Sequence, residues 1–126
     1  MINDFNNGTV GWTDWNILLD ENGGPNLVGN FCFAPVHAAV KSGELIYTPS
    51  YYYIGHLSKF IRPNAKRVST ASNRSPLLST SFLNENGSMA TIVMNQSDQE
   101  ITYKVNVGST AVESKIFAAC HSNAFY

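Results

Sequence analysis

Along the second half of this chain apolar and polar residues alternate in short runs; along the first half they do not. In Ile101-Thr102-Tyr103-Lys104-Val105-Asn106-Val107 the odd positions are apolar and the even ones polar, the period-two signature of a strand with one buried face. Strands are expected near 66–72, 77–83, 89–95, 100–107 and 110–117, with a last one at 123–126. Asn84-Glu85-Asn86-Gly87 reads as a hairpin loop in which Gly87 supplies the positive φ. Asn95-Gln96-Ser97-Asp98-Gln99 and Gly108-Ser109 are further turns. Short antiparallel strands at this spacing predict a β-sandwich over 63–126.

Residues 1–62 have a different texture. Met1 to Asn7 fits the last turns of a helix, closed at Asn6-Asn7-Gly8 by a glycine suited to the left-handed C-cap. Thr9 to Leu19 is β-branched, aromatic and almost unbroken in apolar character. That predicts a strand buried on both faces, as in a parallel sheet. The breakers Asp20-Glu21-Asn22-Gly23-Gly24-Pro25-Asn26 predict a loop. A hairpin across Lys41-Ser42-Gly43 joins the stretch around Val36 to Glu44–Thr48. Tyr53, Ile54, Leu57, Phe60 and Ile61 then follow i, i+3, i+4, i+7 spacing, predicting a helix over 50–61 that stops before Pro63. A doubly buried strand at 9–19 finds no partner in this pattern, so it is expected to belong to a sheet supplied by other residues.

Composition sharpens this picture in one respect. Of 126 residues 44% are hydrophobic and only 13% charged, about half the usual charged share. Seven Phe, six Tyr and two Trp argue against disorder. The same balance fits a piece of a larger protein, with surfaces meant for burial. A net charge of −1, with basic residues grouped only at Lys59, Arg62, Lys66 and Arg67, gives no case for nucleic acid or an anionic membrane. No apolar run approaches the ~18 residues of a membrane span. Met1-Ile2-Asn3-Asp4-Phe5 has neither a basic nor an apolar leader region, so the signal of an exported parent is expected upstream.

Cys32 and Cys120 lie far apart without CxxC or Cys/His spacing, and His37, His56 and His121 share no ligand spacing. No metal site and no cofactor are expected. The two cysteines read as buried free thiols, or as a pair in an oxidising compartment. Gly23-Gly24-Pro25-Asn26 lacks the spacing and the lysine of a phosphate loop. Asn-x-Ser/Thr triplets occur at Asn7, Asn73, Asn86 and Asn95.

The run Gly11-Trp12-Thr13-Asp14-Trp15-Asn16, then Gly23-Gly24-Pro25-Asn26 and Asn30-Phe31, resembles glycoside hydrolase family 30, the glucosylceramidase-like family. So do Tyr53-Ile54-Gly55-His56-Leu57-Ser58-Lys59-Phe60-Ile61-Arg62-Pro63, Arg67-Val68 and Met94-Asn95-Gln96-Ser97. The resemblance spans nearly the whole chain. It implies a mainly β fold: an antiparallel β-sandwich preceded by a leftover strand–loop–helix unit of a (β/α)8 barrel. Residues 9–19 would be the eighth barrel strand and 50–61 the eighth helix. Residues 1–62 would then be the last, incomplete β/α unit, and 63–126 the sandwich domain. The tail from Ile116 to Tyr126 departs from the family texture.

The family cleaves β-glycosidic bonds with retention, using two Glu residues on earlier barrel strands. The resemblance matches none of the Glu here (21, 44, 85, 100, 113) to those positions, so no catalytic residue is expected and the chain alone is expected to be inactive. Pattern alone leaves Trp15 open between a core indole and a pocket wall, and Asn30 between a self-bonded loop residue and a sugar contact. The resemblance implies that both bind substrate in the intact enzyme. Asp14 and Asn16 read as structural, with Asp14 pointing to the other face and accepting hydrogen bonds from neighbouring loops. Tyr51-Tyr52-Tyr53 points in several directions at helical spacing, which favours packing over a sugar platform.

The implied partners are a β-linked glucoside or glycan and the remaining barrel segment, in a secreted, periplasmic or lysosome-like parent. Alone, the chain is expected to self-associate. The rival reading is a non-catalytic sandwich that binds carbohydrate or protein; an exposed aromatic row on one sandwich face would favour it.

Overall fold

The computed structural model describes residues 1–26, 28–118 and, as a strand, 121–125. It divides into two compact units, one of residues 1–10 and 56–126, the other of residues 11–55. Most regular structure is β, with mainly antiparallel pairing and few helices.

In the first unit a short helix α1 (Ile2–Asn6) ends as its sequence requires. Gly8 takes φ +99°, its N–H donates to Phe5 O, and the Thr9 N–H donates to Asp4 O, so the last carbonyls are satisfied. The sheet that α1 covers has the order β4 (Lys66–Val68), β5 (Leu77–Leu83), β6 (Met89–Asn95), β9 (His121–Phe125), all antiparallel. A second layer is the hairpin β7 (Ile101–Val107) and β8 (Thr110–Ile116). Gly87 and Gly108 carry the positive φ at the two hairpin turns.

Both faces of the β5–β6 pair are buried, because successive side chains point opposite ways. On one face Ile92 packs with Ile2 of α1 and with Leu57, joined by Phe5, Ile61, Leu78 and Met94. On the other face Leu77 and Val93 pack with Tyr103 and Ile116 of the hairpin. Ile92 and Ile116 are each 1% exposed, and burial at that level stabilises by about 1.5–3 kcal/mol per side chain. The outward side of the hairpin carries Lys104–Glu113 and Lys115–Glu100 at 3.3 Å each, exposed pairs that contribute little.

The expected strands at 77–83 and 89–95 are present, and the one at 100–107 begins a residue later. The strand expected at 66–72 is only three residues long. Strand 110–117 ends at Ile116, and the last strand starts earlier than expected, at His121. Cys120 and Tyr126 lie outside the described residues.

In the second unit the sheet has the order β1 (Leu18–Asp20), β2 (Val36–Ala39), β3 (Glu44–Tyr47). β1 and β2 are parallel, β2 and β3 antiparallel across the turn that contains Gly43. The helix α2 (Pro49–Phe60) follows, as the apolar spacing predicts, and its residues from His56 on belong to the first unit. Its end is capped from the β5–β6 hairpin. Asn84 donates to the Phe60 carbonyl at 3.2 Å and accepts the Arg62 N–H at 3.0 Å, so one side chain serves a carbonyl the helix leaves open and an N–H just beyond its end.

The strand expected over 9–19 is corrected. Only its end is a strand, and Val10, Trp12, Trp15 and Ile17 are exposed. Asn16 sits at φ +58°, a left-handed conformation that Asn tolerates better than most residues and that breaks the extended run before β1. Nor is that strand without partners, for Leu18, Leu19 and Asp20 pair with Val36, His37 and Ala38.

Candidate functional site

The sequence-predicted substrate residues Trp15 and Asn30 both lie in the second unit, flanking β1 on either side in the chain. Trp15 precedes β1. Its backbone N–H donates to the Asp14 carboxylate at 2.9 Å, and its side chain is 74% exposed. Asp14 was expected to accept from neighbouring loops; among the described residues the bond it accepts comes from its immediate neighbour. The left-handed Asn16 then turns the chain into β1.

Parallel strands require a long crossover, and residues 21–35 provide it. Its first turn is organised by Asp20. One carboxylate oxygen accepts the N–H groups of Asn22 and Gly24, each at 2.8 Å. The Asp20 N–H donates to Gly24 O at 2.7 Å, and the Gly23 N–H donates to Asp20 O at 3.0 Å. The Gly24 and Asn22 N–H donors, in that order, hold the Asp20 carboxyl below its ordinary value, with a smaller contribution from the Gly23 N–H.

Gly23 is required here. It takes φ +86°, and a Cβ would overlap the Cys32 carbonyl oxygen. That approach lets the Cys32 N–H donate to Gly23 O at 3.2 Å, so the crossover is laced across its middle. Asn30 lies just before Cys32. It is exposed, and its carbonyl oxygen lies 3.7 Å from the Cys32 sulfur. Among the described residues, no hydrogen bond or ring contact joins Trp15 to Asn30, and the Asn30 side-chain amide is not hydrogen-bonded.

One residue in this neighbourhood, considered in the sequence only for ligand spacing, has a structural role. His37 on β2 is buried, at 8% exposure, and its ring joins Ala34 to Asp20. The available signal is its position inside the apolar run Ala34-Pro35-Val36-His37-Ala38-Ala39-Val40. A buried imidazole in such a run must find hydrogen-bond partners.

The acidic side chains are mostly engaged elsewhere. Glu21 accepts the Val40 N–H at 2.9 Å, Glu44 accepts from the Ser42 hydroxyl, and Glu100 and Glu113 pair with lysines. Among the described residues no group of three His, Cys, Asp or Glu side chains is arranged to hold a metal ion, and no helix is long and apolar enough to cross a membrane. A groove of about 970 Å³ opens in the first unit between β5–β6 and β7. Ser79, Ser81, Thr91 and Tyr103 line it, and among the described residues Glu113 is its one acidic lining residue. It contains neither Trp15 nor Asn30.

Comparison with known proteins gives consistent relationships. Residues 1–61 match the glycosyl hydrolase family 30 TIM-barrel domain, and residues 64–122 match the glycosyl hydrolase family 30 β-sandwich domain. The lysosomal acid glucosylceramidase of Mus musculus is 35% identical over 98 residues, covering 77% of this chain and 19% of that protein. The crystal structure of SrfJ from Salmonella typhimurium superposes with a TM-score of 0.93 at 31% identity, over 99% of this chain and 28% of that one. The endo-β1,6-glucanase BT3312 superposes with a TM-score of 0.87 at 25% identity, over 98% of this chain and 28% of that one. The chain thus spans about a fifth of the length of the curated relative. With both family domains matched in order and the fold reproduced across nearly its whole length, the chain belongs to glycosyl hydrolase family 30, its first part matching the end of the family's barrel domain and its second the β-sandwich domain.

Proposed function

We propose that this chain is the C-terminal part of a retaining β-glycosidase of the glucosylceramidase and β-glucosidase type, in which it supplies one wall of the sugar pocket and the stabilising sandwich. On this reading residues 1–62 complete the barrel as its last β/α unit, and residues 63–126 form the sandwich. The observation that carries it is the ordered match to both family domains over a chain that makes up 28% of the solved SrfJ structure. The substrate is a β-linked glucoside or glycan, the class to which the glucosylceramidase and endo-glucanase relatives point.

Trp15 and Asn30 are the residues proposed to meet the sugar. An exposed indole offers an apolar face to a pyranose ring. The Asn30 amide can both donate to and accept from sugar hydroxyls, and among the described residues no hydrogen bond competes for it. Retention needs two carboxyl groups about 5–5.5 Å apart, one as acid/base and one as nucleophile. The commitments of Glu21, Glu44, Glu100 and Glu113 to other donors support placing that pair on residues outside this chain.

The rival reading, a carbohydrate-binding or protein-binding sandwich without turnover, gains little support. Among the described side chains of 63–126, Phe82 and Tyr103 are buried and Phe117 is exposed, which makes no row on one face there.

The test is hydrolysis of a chromogenic β-glucoside by this chain alone and by the chain extended upstream in its own reading frame. Turnover is expected only from the extended form. There Trp15→Ala and Asn30→Ala are each expected to lower kcat/KM by about tenfold or more, the loss of one stacking or hydrogen-bonding contact of 1–2 kcal/mol. Turnover by the short chain would overturn the proposal.

A further inference from the structure

We propose that His37 is the positioning residue of the crossover that carries Asn30: a neutral imidazole, protonated on Nδ1, that ties the two ends of this segment together. Its functional meaning rests on the reading that Asn30 meets the sugar.

The protonation state follows from the two partners. The Ala34 N–H points at Nε2 at 3.2 Å. A backbone N–H can only donate, so Nε2 must present a lone pair. Nδ1 lies 2.8 Å from the carbonyl oxygen of Asp20, which can only accept, so Nδ1 carries the proton. The opposite tautomer, or a charged ring, would set an N–H against the Ala34 N–H.

The location follows from the register. His37 stands opposite Leu19 on the parallel strand, one residue before Asp20, where β1 ends and the crossover begins. Ala34 stands near the other end, two residues before β2. The imidazole therefore closes the base of the crossover, and the Gly23–Cys32 backbone bond laces its middle. Phe33 meets the ring edge-on, at 5.5 Å between centroids and 76° between planes. Asn30 lies two residues before Cys32 in the loop that these anchors close, so losing the base is expected to loosen its backbone.

The first measurement is the nitrogen-15 spectrum of the histidine side chains in the 126-residue chain at neutral pH. The expected signature for His37 is a protonated Nδ1 and an unprotonated Nε2. A proton on Nε2, or a charged ring, overturns the proposal whether or not any variant folds. The second measurement is the rate of thiol labelling at Cys32, with Cys120→Ser as background. His37→Leu, which loses both bonds, is expected to raise the rate about tenfold, the equivalent of one or two lost hydrogen bonds. His37→Asn can still donate to Asp20 O and should fall between. Equal rates in all three overturn the proposal.

The two readings fail separately. Asn30→Ala should leave the His37 signature and the Cys32 rate unchanged. If hydrolysis by the upstream-extended form is also indifferent to Asn30→Ala, the pocket reading falls and the clamp stands. If hydrolysis depends on Asn30 but the His37 signature is absent, the clamp falls and the pocket reading stands.

Discussion

Asn95 shows how much one buried amide can hold in this fold. It is 1% exposed and satisfied at both ends. Its NH2 donates to Gln99 O at 2.6 Å and Phe117 O at 3.1 Å, and its oxygen accepts from the Ser97 N–H and hydroxyl at 3.0 and 2.7 Å. It therefore shapes the β6–β7 turn and fastens the end of β8 to it. Asn95→Ala would leave the Gln99 and Phe117 carbonyls without this donor, and a loss of about 3 kcal/mol is expected. The check is chemical denaturation: the midpoint should fall with the slope unchanged. A change below about 1 kcal/mol would mean that water replaces the amide without cost. The same burial removes Asn95 from the Asn-x-Ser/Thr triplets open to modification in the folded chain, whereas Asn7, Asn73 and Asn86 are exposed.

At the scale of elements, what was legible depended on whether neighbours in sequence or in space decide the structure. The helix over 50–61, the β5–β6 hairpin with Gly87 and the alternation of β7 are written in local period and turn chemistry, and they form close to where expected. The run 9–19 was misread because its apolar character states that it wants burial, not what it pairs with. The left-handed Asn16 and the β1–β2 pairing are tertiary facts. For the candidate site, the motif pointed to Trp15 and Asn30, but the anchoring of the segment that carries Asn30, through Asp20, Gly23 and His37, comes from contacts across the crossover that spacing does not encode. The Asp20 turn makes a pH prediction. Its carboxyl is depressed below 3.8 in the folded chain. The turn is therefore stabilised in full above that value, and the stabilisation is lost as pH falls through the lower folded one. The Asn22 and Gly24 amide resonances should titrate with a midpoint below 3.8. An inflection at or above 3.8 would mean that the two amides do not engage the charged carboxylate.

At the scale of the whole molecule the two units differ in what they bury. The first has a double-sided sheet with a core on each face. The second buries chiefly Leu19, Ala34, Val36 and His37 around a three-stranded sheet whose β3 is exposed along its whole length. Large apolar side chains remain at its surface: Phe33 is 90% exposed, and Ile17, Val28 and Phe31 are largely so. Scattered single apolar residues need no explanation, but several on one short segment mark a surface that another element covers. In the proposed intact enzyme that element is the rest of the barrel. Alone, this chain should cover the surface with a second copy. Sedimentation at micromolar concentration should therefore show dimers or larger species, and Ile17→Asp with Phe33→Asp should shift them toward monomer without unfolding the sandwich. The upstream-extended form should sediment as its own monomer under the same conditions. A short chain that is strictly monomeric and folded would instead mean that the second unit tolerates its apolar surface in water, and the case for a missing covering element would then rest on the family relationship alone.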